Sequence, residues 1–129
     1  MIEVRNVSQT FLTAKGPFQA LVDVNLRVPD GDFVAIIGRS GAGKSTFLRT
    51  LNGLLIPSQG SVTVDGTNIT RLPKRELQKY RRRVGFIFQQ FNLVNRLSVL
   101  ENVLHGRLGY LPTWRGLLGL YTEYDYEVA

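Results

Sequence analysis

Cysteine is absent from all 129 residues, which excludes disulfide cross-links, thiolate metal sites and cysteine nucleophiles. A reducing compartment fits this composition without being required by it. Long apolar runs are missing too: no stretch reaches the roughly 20 apolar residues that a bilayer-spanning helix needs. The opening residues, Met1-Ile2-Glu3-Val4-Arg5, lack the charged-then-apolar layout of a secretory leader. The expectation is a chain that stays in the cytosol. Acidic residues are scarce, ten against sixteen Lys and Arg, for a formal charge of +6. Seven of those sixteen lie between Arg71 and Arg83, so the excess is local. No recognition motif accompanies the run, so it reads as a solvated helix face and nucleic acid is not an expected partner.

What is present is an ordinary globular composition, 43% hydrophobic and 20% charged, in a length that suits one small domain or part of one. Ile2, Val4 and Val7 stand among polar residues, and Val22, Val24, Leu26 and Val28 alternate with Asp23, Asn25 and Arg27. Both patterns predict half-exposed strands, joined by the turn-rich Thr13–Pro17 segment and closed by Pro29-Asp30-Gly31. Phe33–Ile37 is continuously apolar, as in a strand covered on both faces of a parallel sheet. Val84–Phe88 has the same character. Apolar positions 47, 48, 51, 54 and 55 have helical spacing, with Pro57 as the expected stop. Ser61–Gly66 reads as a strand with a turn behind it, and Pro73–Arg82 as a basic helix. Ser98-Val99-Leu100-Glu101 has the form of a capping box, predicting a helix to about Gly106, and a further helix begins in the acidic last residues.

Between the apolar Phe33–Ile37 segment and the following helix lies Gly38-Arg39-Ser40-Gly41-Ala42-Gly43-Lys44-Ser45-Thr46. Glycine, four residues and then Gly-Lys-Ser is the phosphate-cradling loop, and strand-loop-helix is the context it requires. Glycines let the backbone wrap an anion, and the amides of the loop and helix start point at phosphate oxygens. Lys44 adds a positive charge toward the β- and γ-phosphates, and Ser45 offers a hydroxyl to Mg²⁺.

Several separated segments extend this signal. Val7–Phe11, Ala20–Val24, the phosphate loop, Leu54–Gly60, Val84–Asn92 and Leu97–Val103 follow one another as in an ATP-binding subunit of an ABC transporter, which the chain resembles throughout. The resemblance implies an α/β fold of the P-loop NTPase class: an antiparallel β subdomain, part of a parallel sheet with helices, and the start of a helical subdomain. It divides the chain into residues 1–92, the nucleotide-binding core with phosphate loop and Gln89, and residues 93–129, the beginning of the helical subdomain. It makes Phe11 the aromatic platform for adenine, a position more often tyrosine; a core side chain is the alternative. Gln89 takes the place of the glutamine that approaches Mg²⁺ and the attacking water, with the adjacent Gln90 a less suitable candidate. His105 precedes every motif that the family's switch histidine follows, which points to a surface or packing role.

Phe91–Tyr110, with the segment around Trp114, is similar to the phosphonate-import branch in particular, although importers of polar amino acids share Gln89–Leu93. The implied function is ATP binding and hydrolysis coupled to phosphonate uptake, with ATP and Mg²⁺ as ligands. Implied partners are membrane permease subunits and a second ATP-binding subunit, at the cytoplasmic face of the membrane. The chain lacks an apolar strand ending in Asp-Glu, the Leu-Ser-Gly-Gly-Gln signature and the switch histidine. It is therefore expected to be a truncated, inactive form, with poor solubility where the central sheet is left open. Two other readings are a non-catalytic nucleotide-binding fragment and a soluble relative acting on nucleic acid through Arg71–Arg83.

Overall fold

The alternating apolar residues near the start build two long strands, β1 (Ile2–Thr13) and β2 (Gly16–Val28), joined by a tight turn in which Gly16 has a φ of 108°. The computed structural model describes residues 1–89 and 92–129, which separate into two units, Met1–Val84 and Gly85–Ala129. In the first unit the sheet continues through β3 (Gln59–Val64) and β4 (Thr67–Asn68). Strand order is β2-β1-β3-β4, antiparallel at every step. Asp65 and Gly66, with φ of 49° and 76°, make the two-residue hairpin between β3 and β4, the positive pair that an Asp-Gly turn supplies.

Register along β1 and β2 is Ile2 opposite Val28, Val4 opposite Leu26 and Val7 opposite Val24, with irregularities between Val4 and Val7 and between Val7 and Gln9. Asn6 and Asp23 both have positive φ there, 49° and 46°, and are held by their own side chains: Asn6 Nδ2 donates to Asp23 Oδ1 at 2.8 Å, and the Asn6 amide to Asn25 Oδ1 at 2.8 Å. Short polar side chains tolerate this conformation better than β-branched ones. Each bulge shifts the alternation by one, so Val4 and Val7 both reach the buried face.

Helix α1 (Lys44–Leu51) and helix α2 (Lys74–Arg82) pack on that face. Val4, Val7, Leu21, Phe47, Val62, Ile69 and Leu77 form the core, flanked by Ile2, Val24, Leu26, Leu51, Val64, Leu72 and Tyr80. α2 buries only Leu77 and keeps its basic residues outward, with Lys79 paired to Glu76 at 2.8 Å. Burial raises the pKa of the Tyr80 hydroxyl, which donates to the Leu51 carbonyl at 2.7 Å and ties α2 to the end of α1. The amino terminus is held by carboxylates from two turns: Met1 donates to Asp30 and, at 2.7 Å, to Asp65.

Three expectations differ from the structure. α1 stops at Leu51 rather than near Pro57, because Gly53 takes the left-handed conformation at φ 67° and its amide turns back to the Thr50 carbonyl at 3.2 Å. Phe33–Ile37 and Val84–Phe88, expected as strands of a parallel sheet, carry no strand assignment and pair with no described strand. Phe33 is 97% exposed, Ile37 94% and Ile87 98%. An apolar β-branched sequence favours extension, but a strand exists only where a neighbour completes its hydrogen bonds.

In the second unit, Ser98 and Glu101 form the expected capping box and open α3 (Val99–His105). Hydrogen bonds from Ser98 hold the Glu101 carboxyl below its usual range. After a 3₁₀ turn (Gly106–Tyr110) come α4 (Thr113–Leu117) and α5 (Glu123–Val128), the latter opened by a second capping box from Thr122 and Asp125. Asp125 is buried, and Arg107 Nε donates to it at 2.8 Å while its guanidinium lies over the Tyr110 and Tyr124 rings at 4.7 and 5.4 Å.

The hydrogen bonds from Thr122, followed by the one from Arg107, lower the Asp125 pKa to about 2. A carboxyl held below its unfolded value of 3.8 adds stability above that value, and the contribution fades as pH falls through the folded one. Amide protection at Tyr126, whose N–H donates to the Thr122 carbonyl, will therefore fall between about pH 4 and pH 2. In Asp125→Asn that dependence will be absent, as proton-exchange NMR will show. No helix among the described residues is long and apolar enough to cross a membrane.

Candidate functional site

The Gly38–Thr46 loop joins the apolar Phe33–Ile37 segment to α1. Gly41 and Gly43 have φ of 80° and 85°, values that a side chain would strain, and the Ala42 amide closes a turn on the Arg39 carbonyl at 3.1 Å. Gly43 also lies against β2: a Cβ there would stand 2.3 Å from the Ala20 carbonyl oxygen and 3.1 Å from Leu21 Cδ2. Glycine is thus required twice at this position, for conformation and for space.

Gly43 is the N-cap of α1 and has no side chain to cap it, and the first turn contains no acidic residue. The first amides of α1 therefore remain donors toward an anion, reinforced by the positive end of the helix dipole. Lys44 Nζ donates to the Gly38 carbonyl at 2.7 Å and the Arg39 carbonyl at 2.8 Å, closing the loop on itself. Gly38 through Ala42 and Ser45 are exposed, while Lys44 and Thr46 are half-buried. Beside the loop lies a hollow of about 280 Å³ whose apolar wall is Leu21, Val24, Leu26, Ile36, Ile37 and Phe47.

The other candidates are placed as follows. Phe11 lies on β1 opposite Phe18, 37% exposed and outside the buried core. Gln89 is exposed in the second unit. Gln90 and Phe91 lie outside the described residues. His105 is the exposed last residue of α3.

A larger hollow, about 430 Å³, lies between α2 and the β3–β4 turn, lined in part by Asp65, Lys79, Tyr80 and Arg83. Its Lys79 is paired with Glu76 and its Asp65 with the amino terminus. Among the described residues no group of three or more His, Cys, Asp or Glu side chains could hold a metal. The self-closing bonds of Lys44 and the lack of room for a Cβ at Gly43 beside Ala20 were invisible in the sequence, since both partners are backbone carbonyls. The spacing of the motif was the only available signal.

The family model described as "ABC transporter" matches residues 21–128. Over all 129 residues the chain is 46% identical to the phosphonates import ATP-binding protein PhnC of Treponema denticola, covering 49% of that protein. Over 114 residues it is 51% identical to the PhnC of Bradyrhizobium diazoefficiens, covering 88% of this chain and 42% of that one. The chain spans about half the length of the curated relatives it matches. Among solved structures, the dimeric MJ0796, a bacterial ABC transporter cassette, superposes with a TM-score of 0.83 at 36% identity, over 99% of this chain and 53% of that one. The same cassette in a post-hydrolysis state bound to ADP and Pi gives a TM-score of 0.79. A phosphate-type loop set between an apolar segment and a helix, within a fold shared with that cassette, and a family match over most of its length agree: the chain belongs to the ABC transporter family.

Proposed function

We propose that this chain is the nucleotide-binding part of an ATP-binding subunit that drives phosphonate import. The observation that carries the reading is the loop itself: two left-handed glycines, an uncapped helix start and Lys44 within reach of the same backbone. In this reading the amides of residues 38–46 hold the phosphates, and Lys44 exchanges its carbonyl partners at Gly38 and Arg39 for phosphate oxygens. Phe11 supplies an aromatic face for adenine.

Ser45 would give the ion a single hydroxyl ligand, so Mg²⁺ would arrive with the nucleotide and keep phosphate and water ligands. When bound, Mg²⁺ would neutralise charge on the β- and γ-phosphates. Gln89 would orient the attacking water in an assembled site. Hydrolysis also needs a carboxylate to activate that water, and none in this sequence follows an apolar strand in the required way. Turnover is therefore proposed for the assembled subunit, not for this chain alone. The assembled form would be a pair of such subunits at the cytoplasmic face of a permease. The division into a core of residues 1–92 and a helical part from 93 belongs to the same proposal.

Identity of 44–51% with proteins named for phosphonate import supports that solute over polar amino acids. The test is a chimera in which residues 1–129 replace the matching half of the Treponema denticola relative. Growth of a transport-deficient host on a phosphonate as sole phosphorus source is the expected result. A chimera that is produced and hydrolyses ATP but fails to support growth would rule out phosphonate import while leaving nucleotide binding intact.

A further inference from the structure

Beyond Ser8, β1 keeps a backbone ladder with only one described strand. Its pairing with β3 ends at Ser8 opposite Gln59, while its pairing with β2 runs on through Phe11 to Thr13. Ser58, just ahead of β3, supplies side-chain bonds where that ladder stops. Its amide donates to Gln9 Oε1 at 3.0 Å, and its hydroxyl oxygen accepts from the Thr10 amide at 3.2 Å. Gln9 Nε2 donates in turn to the Thr10 carbonyl at 3.1 Å. Gln9 is only 6% exposed, a buried amide with both of its ends engaged.

This stretch also joins Phe11 to the phosphate loop. Between Gln9 opposite Leu21 and Thr10 opposite Gln19, β2 has one residue more than β1, and that residue is Ala20. The Ala20 carbonyl is the group that leaves no room for a Cβ at Gly43. Ser58 itself lies on the segment leaving α1, where the Leu55 amide turns back to the Arg49 carbonyl at 3.0 Å. Phe11 follows Thr10 directly, so a change of register or angle at this bulge moves the ring relative to the loop.

We infer that Gln9 and Ser58 are positioning residues for the nucleobase, fixing the Phe11 ring at the spacing from Gly38–Thr46 that adenine and phosphates need together; this rests on the proposed reading of Phe11 as the adenine face. Stacking depends on where the ring stands, whereas phosphate binding depends on the loop amides and Lys44. Loosening the Gln9–Ser58 link therefore affects the base and spares the phosphates.

The experiment compares magnesium ATP with magnesium tripolyphosphate, which offers phosphates without a base, by titration calorimetry. Ser58→Ala removes the acceptor of the Thr10 amide at an exposed position, so the sheet should persist. It should weaken ATP binding about fivefold, the scale of one hydrogen bond, and leave tripolyphosphate unchanged. Ser58→Thr, which keeps the hydroxyl, should restore ATP affinity, and Gln9→Met should act as Ser58→Ala does. On a Phe11→Ala background, Ser58→Ala should have no further effect on ATP. ATP affinity unchanged in both Ser58→Ala and Gln9→Met, equal losses for the two ligands, or full additivity with Phe11→Ala would each overturn the positioning role alone. If Phe11 is not the adenine face, Phe11→Ala will leave ATP affinity unchanged, a result that overturns both.

Discussion

Lys44→Ala will weaken binding of magnesium ATP by about 100-fold, because the loss of a close charge-assisted contact to phosphate costs about 3 kcal/mol. Two effects act together. The ammonium no longer reaches the phosphates, and the bonds at 2.7 and 2.8 Å that draw Gly38 and Arg39 inward are lost, so the loop must be ordered by the ligand. Titration calorimetry on the wild type and the variant measures the difference, with circular dichroism confirming that the sheet persists. Lys44 is half-buried and takes no part in the core, so the fold should survive. Unchanged affinity would remove the loop from consideration as the nucleotide site.

For stability the largest single effect is expected at Gly60, on β3. Its φ is 83°, and a Cβ would fall 2.3 Å from the Asn6 carbonyl oxygen and 2.5 Å from that of Arg5. Both contacts are backbone, located where the β1–β3 register shifts between Arg5 and Ser8. No side chain can swing aside to make room. Gly60→Ala should cost about 3 kcal/mol or more through combined strain and overpacking, seen as a lower urea midpoint. Gly66→Ala is the control: φ is 76° there but nothing lies within 4 Å, so the left-handed penalty of about 1 kcal/mol acts alone. Equal losses at the two sites would mean that the close approach of β1 and β3 has no energetic weight.

Much of this architecture was readable from residue order. Alternation marked β1 and β2, the Ser61–Gly66 pattern marked β3 with a turn at its end, and Ser98 with Glu101 marked the start of α3, because each is a local preference expressed in a few neighbouring side chains. Phe33–Ile37 and Val84–Phe88 were misread for the opposite reason. Their side chains specify extension and burial, whereas pairing is a property of two segments and the described chain brings no strand to either. The end of α1 was assigned to the more conspicuous Pro57, while the left-handed Gly53 acts first. At the loop, spacing and the place between an apolar segment and a helix located Gly38–Thr46, yet how Lys44 is held and why Gly43 tolerates nothing larger depend on carbonyls at Gly38, Arg39 and Ala20. Carbonyls are common to every residue and leave no mark in a sequence. The bulge at Asn6 and Asp23 was equally hidden, since Asn and Asp suit many turns and only their facing position across two strands gives them this one.

The contact between Gly43 and Ala20 also has a genetic consequence. Most damaging substitutions in a packed interior can be relieved by shrinking the neighbour, so revertants accumulate at the contacting position. Here the neighbour is the Ala20 carbonyl oxygen, 2.3 Å from where a Cβ would stand, and every amino acid at position 20 would present the same atom. Alleles altered at Gly43 would consequently have no partner allele at codon 20 to compensate them, and intragenic reversion is left with restoration of glycine or a shift in the path of β2 itself.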